Sequence, residues 1–159
     1  PRPWHNYLTN AVYLANLTMI PGLIYFVIAA ETEFYVLLRK FLLSLSTGTL
    51  SEIERRKHRM RRGMSGEIWK QSAFQGAFTA SLVLLAPGIA SLFGGAFRAG
   101  MLQVSLAGVF LHLHFLTLVN YHFYLELYGH AFVTCLLFLV VNTSIALITA
   151  LTPSPLPAV

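Results

Sequence analysis

The sequence predicts an all-α fragment of a polytopic membrane protein, with about four transmembrane helices and a cytoplasmic helical insert that is amphipathic and basic. Three observations carry that expectation. The 159 residues are 56% hydrophobic and only 11% charged, whereas a soluble domain is about 25% charged. Fourteen of the seventeen Asp, Glu, Lys and Arg residues fall between Glu31 and Lys70. Four stretches carry no formal charge: Pro3–Ala30, Gln71–Phe97, Ala99–Leu125 and Leu127–Val159. Each exceeds the roughly 20 apolar residues that a helix needs to cross about 30 Å of hydrocarbon. Strands are excluded, because an open sheet leaves its edge groups unpaired in lipid and no alternating pattern is present. Four buried helices of a soluble protein would need a polar face; Ser81–Ala86 and Cys135–Val141 have none.

The whole chain, residues 1–159, reads as a single transmembrane domain, with spans at about 7–30, 72–93, 101–124 and 131–151 and an insert at 31–71. Residue 1 is Pro and no basic segment precedes a short apolar core, so the start reads as a cut inside a longer protein rather than as a signal peptide. Pro21-Gly22 interrupts the first span at its middle: proline removes a backbone hydrogen bond and clashes with the turn before it, and glycine permits the bend. Asn10, Asn16 and Thr18 add polarity there. Glu31 closes the span, and a carboxylate at a helix C-terminus meets the negative end of the dipole and calls for a compensating partner unless the helix runs on.

The insert begins with an amphipathic continuation of the first span, in which Phe34, Leu37, Leu38, Phe41, Leu42 and Leu45 recur at helical spacing and Ser46-Thr47-Gly48 ends the helix. Thr49 stands three residues before Glu52, the pattern of a capping box. Behind it run Arg55, Arg56, Lys57, Arg59, Arg61 and Arg62, with Leu50, Ile53, Met60 and Met64 as an apolar stripe. Such a helix contacts anionic headgroups or an acidic partner. The net charge of +5 therefore points to a membrane and not to nucleic acid. Nine of eleven Lys and Arg residues lie in this insert, which places it in the cytoplasm by the positive-inside rule. The turn at Gly94–Gly100 is then outside, the turn at Glu126–His130 inside, and both chain ends outside.

Pro87-Gly88 reads as the outer end of the second span. The third span carries Asn120, Tyr121 and His122, and the fourth Asn142, Thr143 and Ser144. Amides and hydroxyls in lipid need partners, so these residues should face other helices or a wet cavity. Cys135 reads as a small buried hydrophobe. His112, His114, His122 and His130 raise the possibility of haem, but His112 and His114 are two apart and lie on different helix sides, and no Cys or carboxylate completes a zinc set. No metal, no cofactor and no enzymatic activity are expected: nucleophile elbow, P-loop and dinucleotide turn are all missing from the sequence, which has no Asp.

Tyr13–Tyr35, YLANLTMIPGLIYFVIAAETEFY, resembles the signature segment of the PelG family of Pel exopolysaccharide transporters. In that family a helix with I-P-G runs into a cytoplasmic Glu-Thr pair and an aromatic-rich amphipathic helix. Here these are Ile20-Pro21-Gly22, Glu31-Thr32 and Phe34-Tyr35. The likeness continues at Leu50–Glu54, through the basic helix, and at Asn120–Leu125 and Leu136–Asn142. It implies a multi-pass protein of the bacterial inner membrane, related to polysaccharide flippases, with two six-helix bundles around a central cavity. It also implies export of an amino-sugar-rich polymer for the biofilm matrix. The chain would supply about helices eight to eleven. Its partners would be the rest of the transporter, a cytosolic glycosyltransferase, other Pel membrane proteins, the polysaccharide and lipid. Pro21, Gly22, Glu31, Asn120, Tyr121 and Asn142 become candidates for the substrate pathway or its gating. The run Leu151–Pro157 stands where the family has its final helix, and the turn at Glu126–His130 lacks a basic pair. Two other readings are a scaffold that assembles a synthase complex through the insert, and a haem- or quinone-binding four-helix protein.

The charge bias makes the orientation testable. In a Cys135→Ala background, single cysteines at Ser46 and Gly95 should react with impermeant thiol reagents from opposite sides of the membrane. Reaction of both from the periplasmic side would reverse the assignment.

Overall fold

The computed structural model describes residues 3–93 and 98–151. Gly94 to Phe97 of the expected outer turn, and the proline-rich run after Leu151, lie outside the described residues. Helix α1 spans Pro3–Leu17, α2 Ile20–Ala29, a π-helical turn Ala30–Phe34, α3 Tyr35–Thr47, α4 Leu50–Leu92, α5 Ala99–Tyr124 and α6 Tyr128–Leu151. No strand occurs among the described residues. Four helical stretches are long and apolar enough to cross a membrane: Thr9–Thr47, Leu50–Leu92, Ala99–Tyr124 and Tyr128–Ile148. Two compact units divide the chain, one up to His114 and one from Phe115 on.

In the first unit the break in the first span falls just before the proline, at Thr18-Met19. The amides of Thr18 and Met19 bond to the carbonyls of Ala15 and Asn16 at 3.0 and 3.1 Å, three residues back instead of four. Pro21 then occupies the first turn of α2, where its missing N–H was unpaired anyway. The disruption is displaced toward the N-terminus because the ring clashes with the turn before it, not with the one after. Asn16 is exposed and returns its side-chain amide to the Val12 carbonyl at 2.9 Å, so it faces no neighbouring helix of this chain.

Beyond Ala29 the helix widens by one residue per turn and continues, with the Tyr35 amide bonded to the Ala30 carbonyl. Glu31 therefore sits inside a continuous helix. The dipole argument for a partner does not apply to it, since no helix ends there.

Gly48 turns the chain, with φ −91° and ψ 157°, and α3 and α4 form an antiparallel hairpin. Thr49 is the N-cap of α4, but the capping box does not close. Its hydroxyl faces Ser51 at 3.2 Å, and Arg56 takes the Glu52 carboxylate at 2.5 Å. Arg56 also donates to the Lys40 carbonyl at 2.8 Å. Met60 and Leu38 are buried, so the middle of the apolar stripe is used up by packing against α3. Leu50 at its end is exposed. At Gly63 a side chain would come within 2.5 Å of Leu37, so the two helices pack closely there.

The basic segment and the second span form one helix of 43 residues, which passes through Pro87 to Leu92. The expected helix end at Pro87-Gly88 is thus overturned. Above it, Ala11 and Ala15 of α1 pack with Ala86 and Ala90 of α4 and with Leu102, Leu106 and Val109 of α5. Alanines four apart on both helices let the backbones approach, which in lipid supplies the packing that hydrophobicity cannot.

In the second unit, α5 ends in a Schellman arrangement: the Leu127 amide bonds to the His122 carbonyl at 2.8 Å and the Glu126 amide to that of Phe123 at 3.0 Å. Phe115 stacks on Phe138 at 4.0 Å. Most of α6 is exposed, Cys135 included. The expectation of a buried cysteine fails: Cys135 is exposed, and within the second unit α6 has only the end of α5 to pack against.

Glu126 has φ 57°, a left-handed conformation that costs a residue with a Cβ about 1–2 kcal/mol. Glu126→Gly should therefore raise stability by about 1 kcal/mol, read as a higher melting temperature in detergent. A lower melting temperature would show that the carboxylate contributes more than the backbone strain costs.

Candidate functional site

Helix α4 carries a row of polar residues at four-residue spacing, Glu67, Gln71, Gln75 and Thr79, and all four are buried. Spacing of four keeps side chains on one side of a helix. That side meets α2 and the break before it. Gln75 is fully buried and donates from Nε2 to the Thr18 carbonyl at 3.1 Å and to the Thr79 hydroxyl at 3.4 Å. Gln71 donates to the Gly22 carbonyl at 3.4 Å. Two side-chain amides thus supply donors to the backbone at the interruption.

Gly22 has no room for a side chain. A Cβ there would lie 2.5 Å from the Gln75 Oε1 and closer still to Leu113 of α5. The Gln75 oxygen is itself buried without a hydrogen-bond partner among the described residues. Below, Tyr25 stacks on Phe74 with centroids 5.6 Å apart and hydrogen-bonds Glu67. Lys70 also reaches the Glu67 carboxylate, at 2.6 Å. On the α5 side, Ser72 meets His114 Nε2 at 2.6 Å, and His114 Nδ1 faces the Phe110 carbonyl at 2.8 Å. Because a carbonyl only accepts, Nδ1 carries a proton.

Of the pathway candidates, the structure brings Pro21 and Gly22 to this seam. Glu31 lies exposed in the π-helical turn. In the second unit, Asn120 returns its amide to the Leu116 carbonyl at 2.8 Å, Tyr121 is buried, and Asn142 is exposed with its amide on the Phe138 carbonyl at 2.7 Å. His122 and His130 stack at 6.0 Å, yet no group of three His, Cys, Asp or Glu residues suited to a metal occurs among the described residues.

The six basic candidates separate. Arg56 is held by Glu52 and the Lys40 carbonyl. Arg55, Arg56 and Arg59 line a cleft of about 390 Å³ with Leu37 and Lys40. Arg61 and Arg62 line another, of about 590 Å³, with His58, Ser65, Gly66 and Trp69. Lys57 is exposed and borders neither.

Glu67, Gln71, Gln75 and Thr79 escaped sequence reasoning. Their signal was the four-residue spacing at the threshold of a charge-free stretch. The seam offers amides, a buried carboxylate and a Ser72–His114 hydroxyl–imidazole pair, and its amides hold the backbone of a broken helix.

The fit at Gly22 can be measured. Gly22→Ala should destabilise by about 1–3 kcal/mol through overpacking. The same substitution in a Leu113→Ala background should cost clearly less. Equal costs in both backgrounds would show that Leu113 is not what excludes a side chain.

No curated protein sequence and no solved structure gives a match to the chain. A family profile does, over residues 5–157: PelG, described as "Putative exopolysaccharide Exporter (EPS-E)". That match takes in both units, the helix break and the basic hairpin, and the chain therefore belongs to the PelG family of exopolysaccharide exporters.

Proposed function

We propose that this chain is part of an inner-membrane exporter that moves Pel-type exopolysaccharide to the biofilm matrix by alternating access, without covalent chemistry of its own. Family membership supports a transport role and a polysaccharide substrate. One observation supports the mechanism: the first span is broken at Thr18-Met19, and buried amides of a second helix hold the carbonyls at the break. Transporters use discontinuous helices of this kind as bending points and as edges of a polar route. In this reading Pro21 and Gly22 are the hinge. Glu31 guards the entrance on the side of the basic hairpin, where a polymer with free amino groups would meet a carboxylate. Asn120, Tyr121 and Asn142 belong to the route or to contacts with the rest of the transporter. The polymer is handed over by a cytosolic glycosyltransferase and other Pel membrane proteins.

A scaffold role has one observation in its favour. The tip of the α3–α4 hairpin exposes Leu42, Leu43, Leu45 and Leu50, an apolar patch suited to holding a partner.

Pro21→Ala restores a backbone donor and removes the ring that clashes with the preceding turn, which allows the helix to run on through the break. Built into a complete transporter, it should leave insertion intact and reduce polymer secretion several-fold, as should Glu31→Gln. Glu33→Gln should be milder. Normal secretion by Pro21→Ala and Glu31→Gln at equal membrane levels, with loss on Leu45→Ser and Leu50→Ser, would establish the scaffold reading instead.

A further inference from the structure

The two basic clefts of the hairpin lie at different distances from the membrane, and only one of them lies where a phospholipid phosphate would be. Lys70 is the last charge before the stretch that begins at Gln71. Trp69 beside it is 76% exposed, and exposed tryptophan at the end of an apolar span sits at the headgroup level. From this mark, distances follow along α4 at about 1.5 Å per residue. Arg62 and Arg61 are seven and eight residues away, or about 10–12 Å. Arg59 and Arg55 are ten and fourteen residues away, or about 15–21 Å. The headgroup layer on one side of a bilayer is only about 5–8 Å thick, and an arginine side chain closes the remaining distance from Arg61 and Arg62 but not from Arg55.

The nearer cleft is built accordingly. His58, Arg62, Ser65, Gly66 and Trp69 follow one another at helical spacing along the same side of α4, with Arg61 alongside. Gly66 has nothing within 4 Å of the place a side chain would take, which leaves a gap between the indole and the guanidinium groups. No carboxylate lines the cleft. The described ion pairs engage Arg56 and Lys70, so Arg61 and Arg62 keep their charge available.

We propose that the groove formed by Trp69, Gly66, Ser65, Arg62 and Arg61 binds the phosphate of an anionic phospholipid. Trp69 packs against the glycerol and upper acyl region, Gly66 and Ser65 admit the headgroup, and the two arginines hold the phosphodiester. Arginine suits this role because its planar fork matches two phosphate oxygens at once. The other cleft, with Lys40, Arg55 and Arg59, is centred farther from the bilayer and has no tryptophan beside it.

Native mass spectrometry of the full chain in detergent tests the site, with phosphatidylglycerol, phosphatidylcholine and inorganic phosphate as probes. Phosphatidylglycerol should be retained at least several-fold more than phosphatidylcholine. Arg61→Gln with Arg62→Gln should abolish that preference and Trp69→Ala should weaken retention, while Arg55→Gln with Arg59→Gln should leave both unchanged. Equal loss in the two arginine pairs would reduce the effect to bulk charge and overturn the site. Displacement of the lipid by millimolar inorganic phosphate would show a soluble phosphate as the ligand and overturn the lipid assignment. Unchanged retention in the Arg61, Arg62 variant would dismiss the groove altogether.

Discussion

A backbone carbonyl inside a bilayer has to find its donor within the protein, because hydrocarbon supplies none. Pro21 raises that demand in the middle of the first span, and much of the first unit can be understood as the answer. The chain tightens at Thr18-Met19, α2 restarts with the proline in its first turn, and Gln71 and Gln75 reach across from α4. For the amides to arrive, α4 must come close, and Gly22 makes that approach possible by presenting no side chain. The alanines of α1 and α4 keep the same helices near each other farther along. A proline, a glycine and two glutamines are thus one structural unit, although about fifty residues separate the first pair from the second.

The same unit gives family membership a physical content. Exporters need a place where a helix can change direction without exposing unpaired backbone to lipid. Side-chain amides serve that need because they are flexible and can follow the backbone through a change of angle, whereas a regular helix bonds its own carbonyls rigidly. Glu67, held between Tyr25 and Lys70 near the end of the charge-free stretch, ties the lower end of α2 to α4.

The all-α, four-span architecture was legible because charge is so unevenly placed: nothing but apolar length is needed to find Gln71–Phe97 or Ala99–Leu125. The end of α3 at Gly48 was equally legible from turn chemistry. What escaped were features that depend on neighbours. Thr49 and Glu52 have the spacing of a capping box, but Arg56 competes for the carboxylate and wins through charge. Glu31 closes the charge-free stretch but not the helix: the expected amphipathic continuation of the first span is present, and one extra residue in the helical turn carries the chain onward. The polar row of α4 was hidden because two uncharged glutamines and a threonine leave the stretch from Gln71 free of formal charge. Their spacing puts them on one side of the helix, and only the packing of a second helix against them shows that this side is buried.

The length of α4 has a mechanical consequence. At 43 residues it measures about 65 Å, roughly twice the thickness of the hydrocarbon it crosses. Its midpoint, Gln71, falls at the start of the charge-free stretch, so the rod would pivot as a lever near the membrane boundary. Rotating such a rod by about 10° around its midpoint displaces each end by roughly 6 Å. Because α3 is clamped along the outer arm through Arg56 and the Leu37–Gly63 contact, the whole hairpin would follow such a rotation as one piece. Small adjustments among buried side chains would then become displacements of the size of a sugar ring at the hairpin tip.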